Sequence, residues 1–142
     1  GSVKMSKSDP SDNSRINLTD DADTIAQKIR KARTDAEVLP EKLEDLAGRA
    51  EAQNLIGVYA ALSGREAQDV LSEFAGQGFG AFKPKLADLA VAVMGPIGGE
   101  MRRLLSDPAE IDRILGDGAE RAREVAAPNL AEVKRIVGYW AG

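Results

Sequence analysis

The sequence has no cysteine and no histidine among its 142 residues. No disulfide can form, which agrees with the reducing cytoplasm where we expect the protein to work. Zinc sites built on cysteine or histidine are excluded. Catalytic pairs in which histidine activates a serine or a cysteine are excluded as well. Any chemistry must therefore use lysine, arginine, hydroxyl groups, carboxylates or backbone groups.

Aromatic residues are scarce at 4%, so the core is expected to be mainly aliphatic. Hydrophobic residues make up 43% and charged residues 30%, which is typical of a soluble globular protein. No run of about 18 apolar residues occurs, so we expect no membrane partner. The formal net charge of -4 argues against a generally basic nucleic-acid binder, and no DNA partner is expected.

Apolar residues recur at helical spacing along most of the chain, and no strand-like alternation is present. Asp21 is expected to cap a first helix, and Pro40 to open the next one in its first turn. Gly64 is expected to end a helix, and Asp107-Pro108 to start the last one. Pro128 is expected to kink or split that last helix. The pattern predicts an all-α helical bundle preceded by a mobile N-terminal loop at residues 3–18.

Two lysines and two serines lie within the five residues Lys4-Met5-Ser6-Lys7-Ser8. When a nucleophile attacks the α-phosphorus of a nucleoside triphosphate, negative charge builds on the phosphoryl oxygens and the departing pyrophosphate. Flexible lysines can stabilise that charge more strongly in the transition state than in the ground state. Taken alone, the pentapeptide is explained slightly better as a solvated, basic, serine-rich linker, because short motifs recur by chance.

The residues around this pentapeptide occur in the order found in one enzyme family. These stretches are Lys4–Pro10, Asn13–Leu18, Asn54–Ile56, Leu62–Gly64, Phe74–Gly80, Asp107–Pro108 and Leu130–Val133. Together they resemble the class I tryptophanyl-tRNA synthetases, and the resemblance extends over nearly all of residues 3–138.

The resemblance implies a parent enzyme that activates L-tryptophan with ATP and Mg²⁺ and transfers it to tRNA(Trp). Lys4 and Lys7 would be catalytic, and Lys4, Met5, Ser6, Lys7 and Ser8 would bind the ATP phosphates. Residues 19–142 would form the helical anticodon-binding domain of a homodimeric parent. Residues 1–2 are interpreted as a tag remnant. The catalytic Rossmann domain is not recognised, so this piece alone is expected to be monomeric, metal-free and inactive.

The best local candidates for RNA contact lie in and just after the glycine-rich turn at residues 76–80. Phe79 and Phe82 could stack on bases while Lys83 and Lys85 meet phosphates, with Arg49 as a weaker candidate. Alternatively, both phenylalanines anchor the core and the glycines only make a turn.

Two other functions compete with the ligase interpretation: a freestanding helical RNA-binding module, and a helical scaffold without a ligand. Asp20, Asp21 and Asp23 could suggest a cation site, but capping of a helix N-terminus explains them better. The basic run from Lys28 to Arg33 could touch RNA, although a solvated helix end is the simpler interpretation.

Overall fold

Asp21 caps the first helix as predicted. In the computed structural model, which describes residues 10–139, helix α1 spans Ala22–Lys31. The Asp21 carboxylate accepts a hydrogen bond of 2.8 Å from the backbone N–H of Thr24, which satisfies one otherwise unpaired donor of the first turn. The prediction of this helix start from sequence is confirmed.

Four further helices follow, and two short 3-10 turns lie at Asp12–Ser14 and Leu43–Leu46. The helices are α2 at Ala50–Ser63, α3 at Ala67–Phe74, α4 at Phe79–Leu105 and α5 at Pro108–Val137. Residues 10–139 contain no strand, so the all-α prediction is confirmed. Residues up to Met101 form one unit and residues from Arg102 onward form another.

The core of the first unit is formed by apolar side chains from α1, α2, α3 and the first half of α4. Its largest fully buried members are Phe82, Ile25, Leu39, Leu46, Ile56, Leu71, Leu86 and Val70. Leu39 and Leu46 come from the connection between α1 and α2, so this connection is part of the core. Burying a side chain of this size stabilises the folded state by about 1.5–3 kcal/mol.

The helix predicted from Pro40 is not observed, and that prediction is wrong. The backbone of Leu39 instead pairs with the turn after α3: its N–H donates to the carbonyl of Gln77 at 2.9 Å. Its carbonyl accepts from the N–H of Gly76 at 2.8 Å. Because these backbone groups bond to residues nearly forty positions away, they cannot serve a local helix. Helix α2 begins only at Ala50.

The second unit contains α5, which starts at the predicted position. Pro108 occupies the first turn, and the Asp107 carboxylate accepts from the N–H of Glu110 at 3.2 Å. We expected Pro128 to kink or split this helix, but α5 continues through it to Val137, so the predicted split is wrong. Proline removes only one backbone N–H donor from the helix. The residues around it have a high helix propensity, so the helix continues on both sides.

Replacement of glycine by alanine should have opposite effects on stability at two positions, one inside α2 and one at its C-terminal end. Gly64 ends the helix in the left-handed region at φ 66°, whereas Gly57 lies mid-helix with open space around an added Cβ. Gly64→Ala should lower the free energy of unfolding by about 1 kcal/mol, because L-residues avoid that conformation. Gly57→Ala should raise it by up to about 1 kcal/mol. Urea unfolding followed by circular dichroism measures both, and shifts of the same sign would contradict the argument.

Candidate functional site

The predicted ATP loop, Lys4–Ser8, lies outside the residues that the structure describes. The description begins just after it, at Pro10. The segment from Pro10 to Asp20 contains the 3-10 turn Asp12–Ser14 and leads into α1. We call residues 10–20 the junction, because they connect the predicted loop to the first helix.

A closed ring of hydrogen bonds ties the junction to α1. Lys28 Nζ lies 2.7 Å from Asp12 Oδ2 and donates to Asp20 Oδ2 at 2.6 Å. Asn17 completes the ring, since its Nδ2 donates to Asp12 Oδ1 at 2.9 Å and its backbone N–H donates to Asp20 Oδ2 at 2.9 Å. One lysine of α1 therefore holds two carboxylates that are eight residues apart in the junction.

The charges of this ring stabilise one another. Burial by itself would lower the pKa of Lys28, but the hydrogen bonds that its ammonium group donates to Asp12 and Asp20 outweigh burial and raise that pKa above its usual value. The hydrogen bonds from Lys28 and Asn17 hold the pKa of Asp12 below its usual value of 3.8. Both shifts favour the charged forms of Lys28 and Asp12, so the ring acts as a structural anchor.

A cleft of about 340 Å³ lies beside the ring. Polar groups from the junction and α2 line one part of it, and core side chains line the rest: Asn13, Arg15 and Asn54, then Ile29, Leu55 and Leu86. Such mixed lining can accept a small molecule or a protruding side chain.

Arg49, a candidate for RNA contact, is engaged within the protein. Its Nη2 and Nε donate to the two oxygens of Asp35 at 2.7 and 2.9 Å, and its Nη1 donates to the carbonyl of Val38 at 2.9 Å. Asp35 in turn raises the pKa of Arg49, and the guanidinium holds the pKa of Asp35 below its usual value. Arg49 thereby fastens the connection between α1 and α2.

The two candidate aromatics lie in the core. Phe82 is 0% exposed and Phe79 is 7% exposed. The Phe82 ring centroid is 4.9 Å from that of Phe74 and 5.7 Å from that of Tyr59, within an aromatic cluster. Neither ring presents a face on which a nucleobase could stack in this conformation. Their positions agree with the alternative in which both phenylalanines anchor the core.

The two candidate lysines of α4 differ from each other. Lys83 Nζ donates to the carbonyls of Ala32 at 2.7 Å and Arg30 at 3.4 Å, so it caps the end of α1. Lys85 is exposed. Since Lys83 joins the start of α4 to the end of α1, it also links the two basic stretches that the sequence suggested separately.

Exposed cations lie near the end of α1 and in α4, the two elements that the Lys83 contact joins. They are Arg30, Lys31, Arg33 and Lys85, and we call them the basic surface. No ion pair involves any of the four among residues 10–139. An uncompensated group of cations attracts polyanions, although the chain as a whole is acidic.

Metal binding and membrane spanning find no support in the described part of the chain. Residues 10–139 contain no group of three or more acidic, cysteine or histidine side chains able to hold a metal ion. Asp20 bonds to Lys28 and Asp21 caps α1, so neither is available for a cation. No helix in this range is both long and apolar enough to cross a membrane.

Residues 1–95 match the family described as tRNA synthetases class I (W and Y), where W and Y denote tryptophan and tyrosine. The chain belongs to this family. The matched range includes the pentapeptide Lys4–Ser8, the junction, α1 to α3 and the first half of α4.

Relatives of this class I synthetase chain are similar over its whole length. It is 64% identical over 140 residues, 99% of the chain, to a tryptophan–tRNA ligase of Caulobacter vibrioides. It is 60% identical to that of Rhizobium meliloti and 39% identical to a chloroplastic/mitochondrial one of Arabidopsis thaliana. The chain spans 41%, 39% and 34% of the length of these three ligases.

Sequence reasoning missed the role of Lys28 in the synthetase chain, because it grouped this lysine with the solvated basic run at the end of α1. Lys28 is 7% exposed. A signal was present: with Ile25 and Ile29 it lies on one face of the helix, at i, i+3 and i+4. A lysine within an apolar face points inward and needs an acidic partner.

Proposed function

We propose that this chain is the part of a tryptophan–tRNA ligase that carries the ATP-phosphate loop and a helical RNA-binding region. The similarity to the Caulobacter vibrioides ligase carries the proposal, with 64% identity over 99% of the chain. The whole enzyme would act as a cytoplasmic homodimer on L-tryptophan, ATP and tRNA(Trp). It would form tryptophanyl-adenylate first and then aminoacylate the tRNA.

In this proposal Lys4 and Lys7 are the catalytic residues of the chain. Their ammonium groups meet the charge that develops on the ATP phosphates as pyrophosphate departs, while Ser6 and Ser8 donate hydrogen bonds to phosphate oxygens. Met5 completes the loop. Mg²⁺ would accompany ATP as part of the substrate, bound mainly through the phosphates.

The proposal places RNA contact on the basic surface, with Lys85 as the member that sequence analysis had selected. Arg49 and Lys83 have a structural role in this proposal. Arg49 donates hydrogen bonds to Asp35, and Lys83 donates to a carbonyl at the end of α1, so their donors are used within the protein. Phe79 and Phe82 hold α4 in place through the aromatic cluster. Phosphates, which carry no sequence information, are the RNA groups that such a surface fits.

Binding of a tRNA(Trp) anticodon stem-loop to the chain tests the basic surface. Lys85→Ala combined with Arg33→Ala should weaken binding and reduce the slope of log K against log salt concentration by about one unit per lost phosphate contact. Lys42→Ala, which removes an exposed lysine before the 3-10 turn Leu43–Leu46, should leave the slope unchanged. Equal slopes for all three proteins would rule out RNA contact at this surface.

The amino-acid substrate is tested with the whole polypeptide, since the family includes enzymes for tryptophan and for tyrosine. The enzyme should charge tRNA(Trp) with radiolabelled tryptophan in the presence of ATP and Mg²⁺. It should not charge tyrosine onto any tRNA at a comparable rate. Preferential charging of tyrosine, or no charging with either amino acid, would overturn the proposed function.

A further inference from the structure

Lys28 is the only charged side chain that is buried among residues 10–139. A buried ammonium group is tolerated only when it is paired and hydrogen-bonded. Lys28 meets this requirement with two carboxylates at 2.7 and 2.6 Å. A single carboxylate would already neutralise the charge of Lys28. Charge compensation alone therefore does not explain why this lysine has a second acidic partner.

The two carboxylates have different surroundings. Asp20 lies directly before α1, its side chain is 9% exposed, and it also organises the turn from Asn17. Asp12 is 58% exposed and contributes nothing to the core. It lies four positions after Ser8, at the start of the first 3-10 turn after the predicted ATP loop. The bond from Lys28 to Asp12 therefore fixes the chain on the α1 side of that loop.

We propose that Lys28 is a positioning residue for the ATP-phosphate loop. By holding Asp12, it fixes the point where the segment carrying Lys4 and Lys7 joins the helical unit. Fixing this point lowers the conformational entropy that is lost when the two lysines engage the ATP phosphates. The inference rests on the proposed function, and it adds a role for residues that never contact ATP.

A purely structural role for Lys28 makes different predictions. In that case the Lys28→Met variant would contain fewer folded molecules, each of which would work normally. A positioning role predicts that correctly folded molecules work less well, and only in the step that uses ATP. The exposed partner Asp12 separates the two roles, since Asp12→Asn weakens the anchor while it leaves the pair of Lys28 and Asp20 in place.

The first measurement uses the 142-residue chain and does not depend on enzyme activity. Amide hydrogen exchange at residues 11–18 should become faster in Lys28→Met and in Asp12→Asn, while exchange in α2 changes little in Asp12→Asn. Lys42→Met is the matched control, because it removes an exposed lysine at a position without a buried partner. Unchanged exchange at residues 11–18 in both variants would show that the ring does not anchor the junction.

The second measurement uses the whole enzyme and counts rates per active site, with the sites titrated by adenylate formation. Lys28→Met and Asp12→Asn should each lower kcat/KM for ATP in pyrophosphate exchange by about tenfold, with KM for tryptophan unchanged. The double variant should be no slower than Lys28→Met alone, because both changes break the same contact.

Three results of this second measurement would overturn the inference. A normal rate per active site in Asp12→Asn would leave Lys28 a structural role only. An equal rise in KM for tryptophan would indicate a general distortion of the active site. Failure of the unsubstituted enzyme to exchange pyrophosphate would refute the proposed function and the inference with it, whereas the first two results refute the inference alone.

Discussion

Replacing Phe82 with alanine should lower the free energy of unfolding of the first unit by about 3–5 kcal/mol. Phe82 is fully buried, and its ring lies within 4.9 to 6.3 Å, between centroids, of three other aromatic rings. Truncation removes these contacts and leaves a cavity that packed helices cannot easily fill. Because small domains are stable by only about 5–15 kcal/mol, this single change should take much of the available stability.

Urea unfolding followed by circular dichroism measures the loss, and Phe82→Leu is the matched control. Leucine keeps most of the apolar volume, so this variant should lose clearly less stability than the alanine variant. The leucine variant also tests the RNA alternative, since base stacking on an aromatic ring is worth about 1–3 kcal/mol per base. A folded Phe82→Leu protein that binds the anticodon stem-loop normally supports the core role. Loss of RNA binding without loss of stability would support stacking instead.

Local signals in the sequence predicted the helix ends well. Asp21, Gly64 and Asp107 each act within one helical turn: two cap N–H groups with their side chains, and one adopts a left-handed backbone conformation. These effects depend on residues no more than four positions away, so composition and spacing are enough to find them. The all-α fold follows from the same kind of local periodicity.

Non-local contacts account for the wrong helix start at Pro40. Pro40 suggested a helix start, but Leu39 bonds through its backbone to Gly76 and Gln77, which only the folded chain brings near. The connection between α1 and α2 is also held by Arg49, whose partner Asp35 lies fourteen residues earlier. The spacing of residues in the sequence does not reveal such pairs. Where they form, they override the local helix propensity.

The candidate RNA residues illustrate the same limit at the level of function. The sequence identified aromatic and basic residues in and after the glycine-rich turn. It could not show which of their side chains point into the core and which face solvent. In the structure Phe79 and Phe82 point into the core, Lys83 caps α1, and Lys85 faces solvent. The contact from Lys83 to α1 joins the start of α4 to the helix end that carries Arg30, Lys31 and Arg33.

The second large effect is expected at the ATP loop itself. The proposed function predicts that, in the whole enzyme, Lys4→Ala and Lys7→Ala each lower kcat for tryptophan activation by roughly 10²–10³, the usual effect of removing one preorganised group that stabilises transition-state charge. KM for ATP should change much less, because the proposed role of the lysines is exerted mainly as pyrophosphate leaves. ATP–pyrophosphate exchange with titrated active sites measures both constants.

Comparison of the two half-reactions makes this prediction specific to phosphate chemistry. Once tryptophanyl-adenylate has formed, pyrophosphate is gone, so transfer from isolated enzyme-bound adenylate to tRNA should be slowed far less than activation. Lys42→Ala, with the same loss of charge at an exposed position away from the loop in sequence, should leave both steps unchanged. If Lys4→Ala or Lys7→Ala slowed both steps equally, the lysines would act through the fold or through tRNA. The charge on the ATP phosphates would then have to be stabilised by residues elsewhere in the enzyme.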